Sequence, residues 1–265
     1  MTNATGSSRV RRLRGMLRRV RGPAATGPAG SAPDPRRATT TEADWQIIEA
    51  ARPHTLTSVE RLQALIDSVR YCVEAGVDGA FAECGVWRGG SVLAMLLTLR
   101  DLGVSDRDIY LYDTFEGMTQ PSELDRSPFD PPALATWNGA QAAGQRPWEE
   151  FFDPATFGEQ QVSRLLGSAG YPAERLHIVR GPVESTIPAT VPANLALLRL
   201  DTDWYESTRH ELEHLYPLVS SGGVLIIDDY GHWEGARRAV DEYFADHGRV
   251  LLTRVDYTAR LVLKR

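Results

Sequence analysis

Apolar runs alternate with amphipathic stretches along most of the chain from about residue 44 onward. Short unbroken runs of Val, Ile and Leu are typical of buried parallel strands, and apolar residues three or four positions apart predict helices. The predicted strands are residues 79–85, 108–113, 175–180, 195–201 and 223–228. The predicted helices between or after them are residues 91–102, 157–168, 207–218 and 234–247.

Two further stretches extend this pattern toward the ends of the chain. Ser58 can cap a helix whose apolar residues recur at helical spacing until Gly76 ends it. Two β-like runs, 250–256 and 260–263, follow the last helix and are joined by a short link. Together the elements predict an α/β domain: a seven-stranded, mainly parallel sheet with an antiparallel C-terminal edge hairpin and helices on both faces.

Two segments fall outside the alternation. Residues 1–43 are rich in Arg, Pro and Ala and predict a disordered N-terminal extension, so that the folded domain covers residues 44–265. An insertion at about residues 118–156 is far longer than an ordinary strand-to-helix loop and carries several aromatic residues. It predicts a lid or an acceptor pocket, with a decorated surface loop or an oligomer contact as the alternative.

Charge is unevenly distributed along the chain, and this argues against some classes of binding partner. The formal net charge is −6, but residues 1–38 hold nine arginines and one acid, or +8, which leaves −14 for the remainder. So acidic a domain is a poor match for nucleic acid, which is bound by neutralising phosphates. The basic extension could still touch an anionic surface or a partner.

The remaining composition indicates an ordinary cytoplasmic protein. Hydrophobic residues make up 42% of the 265, as expected for a soluble globular chain. Cys72 and Cys84 are too few for a disulfide framework and lack metal-ligand spacing. No apolar run suggests a signal peptide or stable membrane insertion. A homo-oligomer is compatible with the sequence but not indicated by it.

Three aspartates end two of the predicted strands. Asp201 ends one apolar run, and Asp228 and Asp229 end the next. The carboxyl ends of neighbouring parallel strands meet at one edge of a sheet, roughly 4.8 Å apart. Carboxylates that close repel one another unless a hard cation such as Mg²⁺ joins them. These residues therefore predict a Mg²⁺ site, with simple helix capping as the alternative; Asp203 is the more natural cap.

A glycine-rich loop and a following acid predict an adenosine-type ligand. The first strand runs into AECGVWRGGS (residues 82–91) at a helix start, where backbone can approach an anionic group. The second strand ends at Asp113, which suits ribose hydroxyls. The spacing is not G-x-G-x-x-G, which argues against a nicotinamide-dependent oxidoreductase.

Four motifs, FAECGVWRGGS, LYDTFEGM, LRLDTDWYEST and IIDDYG, resemble the signatures of the macrocin O-methyltransferase family. Its members are S-adenosylmethionine- and Mg²⁺-dependent sugar O-methyltransferases of antibiotic biosynthesis with a Rossmann-like class I fold. The resemblance runs from about residue 54 to residue 244. It leaves out the arginine-rich extension and is weak over residues 119–150. Catechol-type O-methyltransferases show a more distant likeness.

The resemblance implies a role for individual residues. S-adenosylmethionine would contact Thr57, Glu83, Gly85, Val86, Trp87, Ser91, Asp113, Thr114, Phe115, Gly117 and Gly181. Glu83, Gly85 and Ser91 would hold its methionine end and Asp113 its ribose. Mg²⁺ would be bound by Asp201, Asp228 and Asp229, and Asp201 would also be the general base.

The chemistry of a sugar hydroxyl fits those roles. Such a hydroxyl is a weak nucleophile, and coordination to Mg²⁺ lowers its pKa while a nearby carboxylate takes the proton. The expected acceptor is a sugar of a glycosylated natural product or a nucleotide sugar. The alternatives are a catechol or phenol acceptor, and a non-catalytic binding module, which would not need Asp201, Asp228 and Asp229.

Other polar residues carry weaker signals. His210 to His214 matches the H-E-x-x-H pattern of zinc proteases, but it lies on a helix whose Leu212 should face the sheet, so we expect the histidines at the surface. His232 and Tyr230 follow the aspartate pair and could serve as a base or acceptor contact, or be ordinary loop residues.

Overall fold

A seven-stranded sheet forms the centre of the protein, for which a computed structural model describes residues 34–265. The strands are β1 (Ala80–Cys84), β2 (Ile109–Asp113), β3 (Leu176–Arg180), β4 (Leu195–Leu200), β5 (Val219–Ile227), β6 (Thr253–Arg254) and β7 (Arg260–Leu263). Their order is β3-β2-β1-β4-β5-β7-β6. Strands β1 to β5 are parallel, and β7 runs antiparallel to both β5 and β6. The predicted sheet is confirmed.

Eight α-helices surround the sheet within the described residues. They are α1 (Glu42–Ala51), α2 (Val59–Glu74), α3 (Gly90–Asp101), α4 (Ala133–Ala142), α5 (Glu159–Gly167), α6 (Val183–Thr186), α7 (Tyr205–His214) and α8 (Glu234–His247). None of the helices in residues 34–265 is both long and apolar enough to cross a membrane.

Two hydrophobic cores, one on each face, hold the helices to the sheet. Strand residues alternate between them: Phe81 and Leu197 belong to the core that includes α1, α2, α3 and α5, whereas Ala82 and Leu198 belong to the core that includes α7 and α8. All of β4 is buried, as its sequence, apolar except for Arg199, predicts for a central parallel strand.

The N-terminal part of the domain begins earlier than expected. A 3₁₀ turn at Pro35–Thr39 precedes residue 44, and helix α1, capped by Thr41, begins two residues before it at Glu42. The rest of the predicted extension, residues 1–33, lies outside the described residues. Helix α2 begins as predicted, because the Ser58 hydroxyl accepts a hydrogen bond from the Arg61 amide at 3.2 Å.

Some helices and strands have bounds that differ from the predicted ones. The helix predicted to reach residue 218 ends at His214, and a 3₁₀ turn containing Pro217 follows, because proline has no N–H to continue the ladder. The predicted run 250–256 pairs over Thr253–Arg254 alone. The insertion contains helix α4 and a 3₁₀ turn at Glu149–Phe151 that the sequence pattern does not indicate.

Candidate active site

The carboxyl ends of β1, β2, β4 and β5 border one cavity of about 500 Å³. Residues of the insertion also line this cavity, among them Met118, Thr119, Asp130 and Trp148. This is the edge at which ligands bind in open α/β sheets, and the topology alone brings the predicted motifs together there.

Nearly all of the predicted site residues border this cavity. They are Thr57, Glu83, Gly85, Val86, Trp87, Ser91, Asp113, Thr114, Gly117, Gly181, Asp201, Asp228 and Asp229. Phe115 differs: its side chain is 7% exposed and packs in a hydrophobic core instead. The expected contact of Phe115 with the cofactor is therefore not supported by its side chain, although its amide donates to Asp113 at 2.6 Å.

Glu83, at the end of β1, offers a buried oxygen to a ligand. One carboxylate oxygen accepts a hydrogen bond from Arg199 at 2.5 Å, and the other has no partner among the described residues. Burial raises the pKa of Glu83 to about 8, against the opposing charge of Arg199. An ammonium group, such as the one at the methionine end of S-adenosylmethionine, would satisfy the orphaned oxygen.

Asp113 holds the glycine-rich loop in place. Its carboxylate accepts hydrogen bonds from the backbone amides of Val86 and Trp87 at 2.8 Å each, as well as from Phe115. Burial raises the pKa of Asp113, and these hydrogen bonds oppose the shift. The carboxylate thus joins the loops that follow β1 and β2, while its grip on a ribose stays a prediction.

Gly85 lets the ends of β1 and β4 approach closely. It has φ +85°, and an added Cβ would overlap the carbonyl oxygen of Asp201. Glycine is required at this position for backbone reasons in addition to any role in ligand binding.

The three aspartates predicted to bind a metal meet in space. One carboxylate oxygen from each of Asp201, Asp228 and Asp229 lies within 4.8 Å of the others, and no second group of this kind occurs in residues 34–265. Burial raises the pKa of Asp201 to about 6 and that of Asp229 well above its usual range, and neighbouring carboxylates reinforce both shifts. Oxygen ligands at this spacing fit a hard divalent cation, which would relieve the repulsion.

Two buried arginines belong to the same cluster. Arg199 in β4 places one nitrogen 2.8 Å from both Asp201 and Asp228, and Arg61 in α2 contacts Asp228 as well. Burial disfavours the charged form of Asp228, but the two guanidinium groups outweigh it and lower the pKa. The carboxylates still outnumber the arginines. Neither arginine was predicted from the sequence; the signal that could have indicated this network is Arg199 inside the otherwise apolar run LALLRL.

Asp203 does not cap the helix that follows, contrary to the sequence-based expectation. Helix α7 starts at Tyr205 without a side-chain cap. Asp203 has φ +66°, accepts a hydrogen bond from the Trp233 indole at 2.7 Å and borders the cavity. Burial raises the pKa of Asp203 to about 8, and the neighbouring Asp201 adds to the shift. It is a fourth carboxylate beside the predicted three.

A row of tryptophans leads outward from this carboxylate cluster. Ring centroids are 4.9 Å apart for Trp233 and Trp204, 5.8 Å for Trp204 and Trp148, and 6.4 Å for Trp148 and Trp137. Trp204 and Trp233 are buried, and the outer two are partly exposed. The row joins the insertion to the sheet edge and gives the cavity an apolar wall.

Of the two loop residues considered as bases, one borders the cavity. His232 contacts Asp130 at 2.5 Å through one ring nitrogen and the hydroxyl of Tyr257 at 3.0 Å through the other. Both nitrogens are therefore engaged, and His232 bridges two loops. Tyr230 instead donates to Asp241 at 2.8 Å, outside the cavity.

The H-E-x-x-H segment has a structural role. His210 contacts the carbonyl of Ile187 at 2.9 Å, and the carboxylate of Glu211 is fully buried and accepts a hydrogen bond from Thr202 at 3.0 Å. These residues are absent from the metal-type cluster of the described chain. The sequence-based rejection of a zinc protease agrees with this arrangement.

Comparison with known proteins identifies the family. The sequence profile of Macrocin-O-methyltransferase (TylF) matches residues 9–263. The chain belongs to the macrocin O-methyltransferase family. The match is wider than the resemblance of the motifs, since it includes the insertion and reaches into the arginine-rich extension. The enzyme is thus a methyltransferase of the S-adenosylmethionine-dependent type.

Curated relatives of the family are similar over most of their length. The chain is 34% identical to 8-demethyl-8-(2,3-dimethoxy-alpha-L-rhamnosyl)-tetracenomycin-C 4'-O-methyltransferase of Streptomyces olivaceus, covering 77% of this chain and 71% of the relative. It is 33% identical to demethyldecarbamoylnovobiocin O-methyltransferase of Streptomyces niveus, covering 76% and 70% respectively. The structure of the O-methyltransferase NovP superposes with a TM-score of 0.66 at 30% identity, covering 80% of this chain and 82% of that one.

Proposed function

We propose that the enzyme methylates a hydroxyl on a sugar of a glycosylated natural product, using S-adenosylmethionine and Mg²⁺. The observation that carries the proposal is the meeting of Asp201, Asp228 and Asp229 beside the cavity. Three carboxylates at this spacing are the ligands of a hard cation, and methyl transfer to an unactivated hydroxyl benefits from one.

In this proposal, some residues activate the acceptor hydroxyl and others align the cofactor with it. When bound at the three aspartates, Mg²⁺ would act as a Lewis acid that lowers the pKa of an acceptor hydroxyl. The side chain of Asp201 is 28% exposed, against 1% for Asp228, so Asp201 is the aspartate better placed to take the hydroxyl proton. Bound S-adenosylmethionine would supply the methyl group, carried on a sulfonium sulfur that is the leaving group when the acceptor oxygen attacks. Glu83 would anchor the methionine end for this in-line displacement.

The charge of the cavity favours a glycoside over a nucleotide sugar. Arg61 is the only arginine or lysine among the described residues that border it, and it is bound to Asp228 and Asp256. A diphosphate would meet mainly carboxylates there. Arg180 borders a neighbouring recess but pairs with Glu116 at 2.6 Å.

The apolar wall gives a place for the remainder of such an acceptor. Trp148, Trp204 and Trp233 border the cavity next to the carboxylates, and indole faces bind the C–H faces of sugars and apolar rings. The names of two relatives refer to a rhamnosyl-tetracenomycin and to a novobiocin derivative. An apolar aglycone is consistent with both observations.

A mass-spectrometric methyl-transfer assay tests the proposal. The purified enzyme and S-adenosylmethionine are incubated with glycosylated natural products, nucleotide sugars and simple catechols, each with Mg²⁺ and with a chelator. Chelator-sensitive methylation of the glycosides supports the proposal. Methylation of nucleotide sugars alone would place the reaction before glycosyl transfer, and methylation of catechols alone would replace the substrate class. A cytoplasmic location and a homo-oligomer stay predictions.

A further inference from the structure

A buried carboxylate of the insertion, Asp125, is neither one of the predicted metal ligands nor part of the cavity lining. Asp125 is 1% exposed. One oxygen accepts hydrogen bonds from the amide and the hydroxyl of Ser122 at 2.6 and 2.8 Å, and the other accepts from the amide of Tyr205 at 2.7 Å. Every one of these donors is uncharged, so no guanidinium or ammonium group in these contacts accounts for the buried acid.

The starts of two helices meet on this carboxylate. Tyr205 is the first residue of α7, and Gly235 lies in the first turn of α8. An added Cβ on Gly235 would overlap the Oδ1 atom of Asp125. Helix amino termini carry partial positive charge, which stabilises a carboxylate between them. The next residue of the insertion continues the contact, because the carbonyl of Arg126 accepts a hydrogen bond from the amide of Glu234 at 2.8 Å.

Each of these helices directly follows one half of the predicted metal site. Tyr205 comes four residues after Asp201, and α8 starts shortly after Asp229. The linking segments are short and themselves fixed: the indole of Trp204 donates to the carbonyl of Thr119 at 3.0 Å. A shift of one helix start relative to the other would therefore change the spacing of the carboxylates.

We infer that Asp125 is a positioning residue that sets the separation of the Asp201 and Asp228–Asp229 loops by joining the starts of α7 and α8. The inference rests on the proposed metal-dependent function. Residues that orient metal ligands without touching the metal have measurable effects on metal affinity. The insertion would then be needed for a correctly spaced metal centre as well as for the acceptor wall.

The direct test is a calorimetric titration of Mn²⁺ into the S-adenosylhomocysteine complex of wild type and Asp125→Asn. The asparagine amide keeps the shape of the Asp125 side chain. Its NH₂ group, however, would face the N–H and O–H donors of Ser122 or the amide of Tyr205, which need an acceptor. We expect Mn²⁺ affinity to fall by about tenfold or more, with S-adenosylhomocysteine affinity within about twofold of wild type because Asp125 does not border the cavity. Glu123→Gln, an exposed acid of the same segment, is the matched control and should match wild type.

The outcomes separate this inference from the function on which it rests. Wild-type Mn²⁺ affinity in a folded Asp125→Asn variant would overturn the inference and leave the proposed function standing. Absence of Mn²⁺ binding by wild type would overturn both. If Asp125→Asn does not fold, Ser122→Ala removes a single donor, and the inference predicts a smaller loss of Mn²⁺ affinity; an unchanged affinity there would contradict it.

A double-mutant cycle checks the contact from the other helix. Gly235→Ala alone should weaken Mn²⁺ binding, because its methyl group displaces the Asp125 carboxylate. In an Asp125→Ala background that oxygen is gone, so adding Gly235→Ala should cause a clearly smaller further loss. Additive effects of the two substitutions would show that the residues act separately and would overturn the inference.

Discussion

At the scale of single residues, Arg199 connects the two halves of the active site. It is 1% exposed and contacts Glu83 on the cofactor side and both Asp201 and Asp228 on the metal side. A buried carboxylate without its partner is far less stable than a paired one. The arginine therefore stabilises the buried carboxylates that meet at the carboxyl ends of β1, β4 and β5.

Arg199→Met should destabilise the fold by about 3–5 kcal/mol, because it leaves buried carboxylates without their guanidinium. The control is Arg238→Met, which breaks an exposed pair with Glu242 on α8 and should change stability by less than about 1 kcal/mol. Urea unfolding of the two variants measures the difference. Equal stability of both variants would show that the buried network does not hold the site together.

Asp201 is the residue assigned to proton transfer. Asp201→Asn removes the base and one metal ligand, so we expect kcat to fall by about 10²–10⁴-fold. S-adenosylhomocysteine affinity should stay close to wild type, since its predicted anchors Glu83 and Asp113 lie on β1 and β2. Asp246→Asn, an exposed position on α8, is the control. Steady-state kinetics measures kcat, and calorimetry measures S-adenosylhomocysteine affinity. A near-normal kcat in Asp201→Asn would refute the assignment.

At the scale of elements, the close approach of β1 and β4 brings the cofactor loop against the metal loop. Gly85→Ala should lose at least about 1–3 kcal/mol of stability, since a positive φ and an overlap with the Asp201 carbonyl act together. Gly103→Ala has the same kind of φ, +70°, but nothing within 4 Å of the added Cβ. Thermal and urea unfolding should show the larger loss for Gly85→Ala. An equal loss would mean that the overlap is relieved by small shifts.

A helix or strand can be predicted where its own residues show a clear apolar pattern or a capping residue. The run before Asp201 is apolar at every position except Arg199, and Ser58 shows its capping role in the sequence, so strand β4 and helix α2 are predictable. The convergence of Asp201 with the Asp228–Asp229 pair also followed from strand topology alone. Helix α4 was missed because its residues are mostly exposed and show no clear apolar periodicity.

Contacts between distant segments could not be predicted in this way. The role of Asp203 depends on an indole from the loop after β5, and that of Asp125 depends on two helix starts that lie far along the chain. No spacing rule in the sequence joins such positions, because they lie on separate loops. The sequence therefore predicts that Asp203 caps helix α7, because aspartate is a preferred residue just before a helix.

At the scale of the whole molecule, the cavity is lined by acidic side chains in one part and by aromatic side chains in another. Carboxylates from β1, β4 and β5 gather at the sheet edge, and tryptophans of the insertion and adjoining loops form an apolar wall next to them. One half suits a cation and a hydroxyl, and the other suits apolar rings. This division is the basis for proposing a glycoside as the acceptor.

The most direct test of the account is restoration of methyl transfer to a glycoside by Mg²⁺ after chelation, in wild type beside Asp229→Asn. Asp229 supplies a predicted ligand and is not the assigned base. The account predicts that chelator abolishes turnover, that Mg²⁺ restores it in wild type, and that Asp229→Asn recovers little at the same Mg²⁺ concentration. Full turnover by wild type in the presence of chelator would contradict it.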